Sequence, residues 1–171
     1  TVSVTGAVGQ TTSLKTLTLT NSNGATFSSA VSTGTSVVLA DTADAHTITF
    51  AGDLTTPTLT TTANGYHVEL LGDHTSVSNA TTFLNTGSLT LGNAAADALS
   101  FAGGLSATVP AAISAAGHIS TSGVGALTLG DSTTALTLTD EVWLSTAGGA
   151  LNVDGAVNGA TANTQSLSLD A

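Results

Sequence analysis

Short stretches of two alternating apolar residues that end at a small or glycine-containing break recur along this chain, and their spacing constrains the fold more than any single residue. The copies are Val2-Ser3-Val4-Thr5-Gly6-Ala7-Val8, Ala25-Thr26-Phe27-Ser28-Ser29-Ala30-Val31, Ile48-Thr49-Phe50-Ala51-Gly52-Asp53-Leu54, Leu99-Ser100-Phe101-Ala102-Gly103-Gly104-Leu105 and Leu151-Asn152-Val153-Asp154-Gly155-Ala156-Val157. The apolar residue before each break falls at 4, 27, 50, 101 and 153. The gaps read as one, one, two and two units of roughly 23 to 26 residues, a period that marks a stacked repeat.

A second element lies between these copies. Leu17-Thr18-Leu19-Thr20-Asn21, Val37-Val38-Leu39-Ala40-Asp41, Leu89-Thr90-Leu91-Gly92-Asn93 and Leu127-Thr128-Leu129-Gly130-Asp131 each run apolar, any, apolar, small, Asn or Asp, and Glu69-Leu70-Leu71-Gly72-Asp73 is a looser copy. Alternation over a few residues is the period of a strand, and Asn or Asp after a small residue is turn chemistry. Strands this short do not build hairpins around Asn23-Gly24, Asn64-Gly65, Asp154-Gly155 or Asn158-Gly159, because two-residue loops need longer alternating flanks. A parallel β-helix of about seven coils accounts for the pattern, with coils stacked about 4.8 Å apart over roughly 35 Å.

The alternation assigns Val4, Leu17, Leu19, Phe27, Leu39, Ile48, Phe50, Leu70, Leu89, Leu91, Phe101, Leu127, Leu129, Leu136, Leu138, Leu151 and Val153 to the interior. Phe27 and Phe50, one coil apart, are expected to stack. The best helix candidate is Val109–Gly117, with Pro110 near its start and Gly117 at its stop; the alternative is a coil with two small corners. Ala94–Ala98 reads as a short loop.

Composition narrows the function classes. Charged residues make up 7% of the chain, against about 25% in an average soluble domain, and Thr is about one residue in five, a β-branched side chain suited to a pleated surface. Eleven acids face the single base Lys15, for a net charge of −10. Such a chain cannot neutralise phosphates, which argues against nucleic acid and against anionic lipid. There is no cysteine, which removes disulfides, thiolate metal sites and thiol catalysis. No apolar run is long enough for a membrane-spanning helix. Thr1 leads directly into an alternating pattern, and Val4-Thr5-Gly6-Ala7-Val8 with Leu17-Thr18-Leu19 is echoed by Val153-Asp154-Gly155-Ala156-Val157 with Leu167-Ser168-Leu169. Residues 1–171 therefore read as a single solenoid segment excised from, or repeated within, a longer chain.

The runs Gly6-Ala7-Val8-Gly9-Gln10-Thr11-Thr12-Ser13-Leu14-Lys15-Thr16-Leu17-Thr18-Leu19 and Gly149-Ala150-Leu151-Asn152-Val153-Asp154-Gly155-Ala156-Val157-Asn158-Gly159-Ala160-Thr161 resemble the degenerate repeats of giant bacterial surface proteins, the haemagglutinin-type adhesins and β-strand-repeat exoproteins. The resemblance rests on composition and pattern over essentially the whole chain. It implies a right-handed parallel β-helix and an extracellular or cell-surface role as a stalk, adhesin shaft or filament subunit. The partners it implies are further copies or flanking repeats stacked end to end, and a host or neighbouring-cell surface or glycan. It carries over no catalytic residue.

Solenoids of this kind also include polysaccharide-degrading enzymes, which need two carboxylates about 5 to 10 Å apart. Asp41 with Asp73 or Asp131 is the pair to test, but Asn stands at the corresponding places 21 and 93, as a corner role predicts. No catalytic residue is assigned, and no cofactor is expected. The close acidic pairs Asp41 with Asp44 and Asp140 with Glu141 read as solvated acids, with a weakly held corner calcium as the alternative. His67, Glu69, Asp73 and His74 can be drawn as a zinc cluster, but alternation puts His67 and Glu69 on one face and His74 beyond a turn. The histidines read as surface residues, His46 and His118 as isolated ones. Thr18, Thr58, Thr60, Thr90, Thr128, Thr137 and Thr139 are expected on outward rows, an arrangement resembling that of ice-binding solenoids. Tyr66 and Trp143 read as lone aromatics, with Trp143 at a coil edge or against a neighbour.

Overall fold

A computed structural model describes all 171 residues. It is a parallel β-solenoid without a helix, wound into seven turns and the start of an eighth. The first turn carries β1 (Val2–Val4) and β2 (Leu14–Ser22), and the second β3 (Ala25–Phe27) and β4 (Val31–Thr42). The third holds β5 (Thr47–Phe50), β6 (Leu54–Thr56) and β7 (Thr58–Thr61), and the fourth β8 (His67–Leu70), β9 (His74–Val77) and β10 (Thr81–Thr82). β11 (Ser88–Leu91), β12 (Ala98–Phe101) and β13 (Leu105–Ala107) form the fifth. β14 (Ala112–Ser120) and β15 (Leu127–Leu129) make the sixth, β16 (Leu136–Ser145) and β17 (Leu151–Val153) the seventh, and β18 (Val157–Gly159) and β19 (Leu167–Asp170) begin the eighth.

Pairing is parallel throughout and sorts the strands into three faces. On the first face the register runs Val2, Ala25, Ile48, Val68, Leu89, Ile113, Leu136, Val157. These rungs fix a turn at 20 to 24 residues. The second face stacks Val8, Val31, Leu54, Thr75, Leu99, Ile119, Leu144 and Leu169. The third stacks Leu17, Val37 and Leu59, then Thr81, Leu105, Leu127 and Leu151. Between those two groups the hydroxyl of Thr61 bridges the turns, accepting from the Leu84 N–H at 2.7 Å and donating to the Thr82 carbonyl at 3.3 Å.

Inward side chains from the three faces form one core of 30 buried residues. Every residue assigned to the interior from alternation lies in it or, for Val4, Leu17, Leu151 and Val153, packs against it. Phe27 and Phe50 stack as expected, with centroids 4.9 Å apart and planes 9° from parallel. Hydroxyl pairs continue the same stacking at inner corners, Ser22 with Thr42 at 2.8 Å and Thr33 with Thr56 at 2.7 Å.

Three expectations need correction. Leu99–Phe101 and Leu151–Val153 are not further copies of the rung that holds Val4, Phe27 and Phe50. Phe101 pairs with Val77 on the second face and Val153 with Leu129 on the third. The Leu89–Leu91 element lies on the first face, not on the third with Leu17–Leu19 and Leu127–Leu129. All three faces need the same local pattern, two inward residues and a tight corner, so the pattern counts faces and does not distinguish them. Finally, Val109–Gly117 is not a helix: Pro110 lies at a buried corner, and Ile113 and Ala115 pair with Leu89 and Leu91 on one side and Leu136 and Leu138 on the other. Gly117, at φ +81°, forms the corner between two faces inside β14. Ala94–Ala98 is a loop leading into β12, as expected.

Corners are where neighbouring turns approach most closely. A Cβ at Gly72 would fall 2.4 Å from the carbonyl carbon of Gly52 in the preceding turn, so only glycine fits there without moving backbone. The core itself is the stronger test. Phe50→Ala should lower unfolding free energy by about 3 to 5 kcal/mol in urea melts followed by circular dichroism. Phe50→Asp, which buries an unpaired charge, should leave the chain unfolded or aggregated; a variant melting like the parent would contradict the inward assignment.

Candidate functional site

The candidate acids lie at corners, and several accept from backbone N–H groups of their own or a neighbouring turn. Asp41 and Asp131 close the third face of turns two and six, four turns or about 19 Å apart along the axis, while Asp73 sits at a different corner, ahead of β9. These acids therefore form no carboxylate pair across which a glycosidic bond could sit. Asp41 accepts from the Asn64 side-chain amide at 3.2 Å, and Asp44 accepts from the Gly65 N–H at 2.8 Å. Asp53 accepts from the His74 N–H at 2.9 Å. Each of these bonds joins one turn to the next. Asp97 is buried and closes its own loop, its Oδ2 accepting from the N–H groups of Asn93 and Ala94 at 2.7 and 3.0 Å.

The conformations behind the Asn and Asp corners are explicit. Asn21 has φ +104°, Gly92 φ +76° and Gly130 φ +72°, the left-handed region that Asn and Gly enter at least cost. After Gly130, Asp131 Oδ1 accepts from the Thr133 N–H at 2.7 Å, the Thr133 hydroxyl at 2.8 Å and the Thr134 N–H at 2.8 Å. These bonds favour the ionised carboxylate and hold the Asp131 pKa below its ordinary value of 3.8, the backbone bond from Thr133 contributing most.

The residues drawn as a zinc cluster are divided between faces. His67 and Glu69 do point outward together from β8, as alternation required. His67 Nδ1 accepts from the Ser88 N–H at 2.7 Å, and Glu69 accepts from the Thr49 hydroxyl at 2.9 Å. His74 lies around the corner, with Nδ1 3.9 Å from Asp53. No three His, Asp or Glu side chains converge in a way that could hold a metal ion. The pair Asp140 and Glu141 is also split. Asp140 accepts from the Ala95 N–H at 3.1 Å and from the Glu141 N–H at 2.8 Å, while the Glu141 side chain is exposed.

The expected Thr rows fall on two faces. Thr90 and Thr137 share a column on the first face through Ser114, whereas Thr18, Thr60 and Thr128 belong to the third. The longest hydroxyl column is on the second face and went unrecognised in the sequence: Ser32, Thr55, Ser76, Ser100, Ser120 and Ser145 stand in successive turns. It is built mainly from serines that precede or follow the apolar motifs, so only the register exposes it.

The aromatic assignments change most. Tyr66 is fully buried, its hydroxyl donating to the Leu39 carbonyl at 2.9 Å and accepting from the Thr62 N–H at 2.9 Å. His118 is not isolated, and Trp143 packs against it from the neighbouring turn. Their rings stack on the second face with centroids 4.0 Å apart and planes 9° from parallel. The 25 residues that separate them hid a contact that the register makes direct. No protein-family model, curated protein or solved structure gives a significant match to the chain.

Asp131 provides a pH-dependent test of the corner role. Its pKa is lowered on folding, so its stabilising effect is complete above the ordinary value of 3.8 and is lost as pH falls through the depressed value. Asp131→Asn, which keeps an accepting oxygen, should melt close to the parent at neutral pH, and Asp131→Ala should melt lower. The gap between parent and Asp131→Ala should close in acid; a gap that widens there would contradict this account.

Proposed function

We propose that this chain is a structural, non-enzymatic solenoid, the shaft of an extracellular or cell-surface adhesin or a subunit of a filament. The observation that carries the reading is the unbroken run of rungs on the first face from Val2 to Val157, over a single apolar core. A molecule of this kind transmits load along its axis, since each turn is bonded to the next at every face. The reading is also supported by the employment of Asp41, Asp44, Asp53, Asp97 and Asp131 as acceptors for backbone or corner groups. The resemblance to bacterial surface repeats points the same way.

Self-stacking is part of the proposal. The terminal rungs expose apolar residues, Val2 and Leu14 at one end and Val157 and Leu169 at the other, and strand edges of this kind template further strands. Negative-stain microscopy over a concentration series should show rods that lengthen by whole units; particles of one-chain length at every concentration would rule self-stacking out. A panel of acidic glycans should release no sugar, and the melting temperature should be unchanged by a chelator, because a calcium ion bound only by the folded chain would raise it.

One observation favours a second reading. The in-register hydroxyls from Ser32 to Ser145 form a flat row whose repeat could meet an ordered lattice such as ice. Thermal hysteresis in dilute solution would establish that reading, and its absence leaves the structural one.

A further inference from the structure

The outward positions on the second face run in register from His74 through Ala98, His118 and Trp143 to Ser168. The His118 imidazole covers one face of the Trp143 indole and is itself fixed by a 2.7 Å bond between its Nε2 and the Ser145 hydroxyl. In the next turn the stack meets only Ser168. A cleft of about 210 Å3 runs beside the stack on its corner side, lined by both rings, by Glu141, Ser166 and Ser168, and by Ala95 and Gly117 at the corner.

The sequence builds this cleft by two local departures from regular winding. β16 carries more residues than β14 between the two faces, so that Ala115 pairs with Leu138 but Gly117 with Val142. The excess puts Asp140 and Glu141 at the corner. The loop at Asn93–Asp97, two turns earlier, leans across the tight corner at Gly117 and is held by the bond from the Ala95 N–H to Asp140. Trp143 remains 46% exposed, so part of the indole is open to a guest.

Charge selects that guest. Glu141 is exposed and has no ion-pair partner, and the only basic side chain besides histidine, Lys15, belongs to the first turn. An anion would be repelled. A neutral sugar ring could stack on the indole but would leave the carboxylate uncompensated, whereas a flat cation satisfies both the π face and the acid. A guanidinium group is planar, stacks on aromatic rings and presents a fork of N–H donors that fits a carboxylate. We propose that the cleft beside Trp143 receives an arginine side chain presented by a partner protein, with the guanidinium packed on the exposed part of the indole and paired with Glu141.

Trp143 is the chain's only tryptophan, so its emission reports on the cleft directly. Titration at low salt with N-acetyl-arginine amide, the free side chain's simplest mimic, should give a saturable change in emission. An arginine-containing peptide should reproduce it, and methyl glucoside should give no change. Glu141→Gln should weaken arginine binding roughly two- to fivefold, the range of an exposed ion pair. Ser168→Phe, which places a ring in the cleft, should abolish it. Both variants should melt like the parent, since both positions face outward. A response to arginine that survives either substitution intact, or that methyl glucoside matches, would overturn the proposal.

Discussion

Each turn of this solenoid is hydrogen-bonded to the turn before it and the turn after it, and parallel pairing places every side chain over a fixed partner about 4.8 Å away. Like then meets like: Phe27 on Phe50, Leu89 on Ile113, Ser22 on Thr42. Inside the coil this replaces the usual problem of fitting large residues into small ones by a column of equals. Outside, it turns single polar residues into rows. The near-absence of charge follows from the same geometry, since like charges stacked at that spacing repel, and an outward column on the first face accommodates Glu69 only between the hydroxyl-bearing Thr49 and Thr90.

The interior and the strand period were legible in the chain because alternation is a local property. The face of each strand was not. Val4, Phe101 and Val153 carry the same short motif on three different faces, and nothing within a few residues separates them. Turn length varies between 20 and 25 residues, so counting along the chain accumulates an error of one face within two turns. Pro110 and Gly117 misled for a related reason. Both stand at corners here, and their helix-boundary meaning depends on what lies between them; Ile113 and Ala115 were claimed by the ladders on either side.

Corner chemistry explains why the acids looked like a site in the sequence and are held apart in the structure. A corner in the left-handed region needs Gly or Asn, and the groups beyond it need an acceptor, which Asp131 supplies with a single oxygen to three donors. The carboxylate is then oriented along its own loop instead of across to another acid. Asp44 and Asp53 reach a neighbouring turn, but to a backbone N–H each. Asp131 gains a lowered pKa in this way and Asp44 and Asp53 a structural bond each, and the two-carboxylate geometry of a glycosidase demands neither.

Glu141 differs from these acids because the corner that carries it has residues to spare. Asp140 performs the corner's structural work, accepting from both Ala95 and Glu141, and so releases Glu141 from any such duty. The same excess aligns Trp143 over His118 one rung before a serine, where the aromatic column stops. A regular solenoid would have filled that place with another ring or removed the first. The irregularity therefore does what loops do in other folds: it leaves a rigidly held aromatic face and an uncommitted charge beside each other on an otherwise uniform surface, and the turns beneath keep both in position.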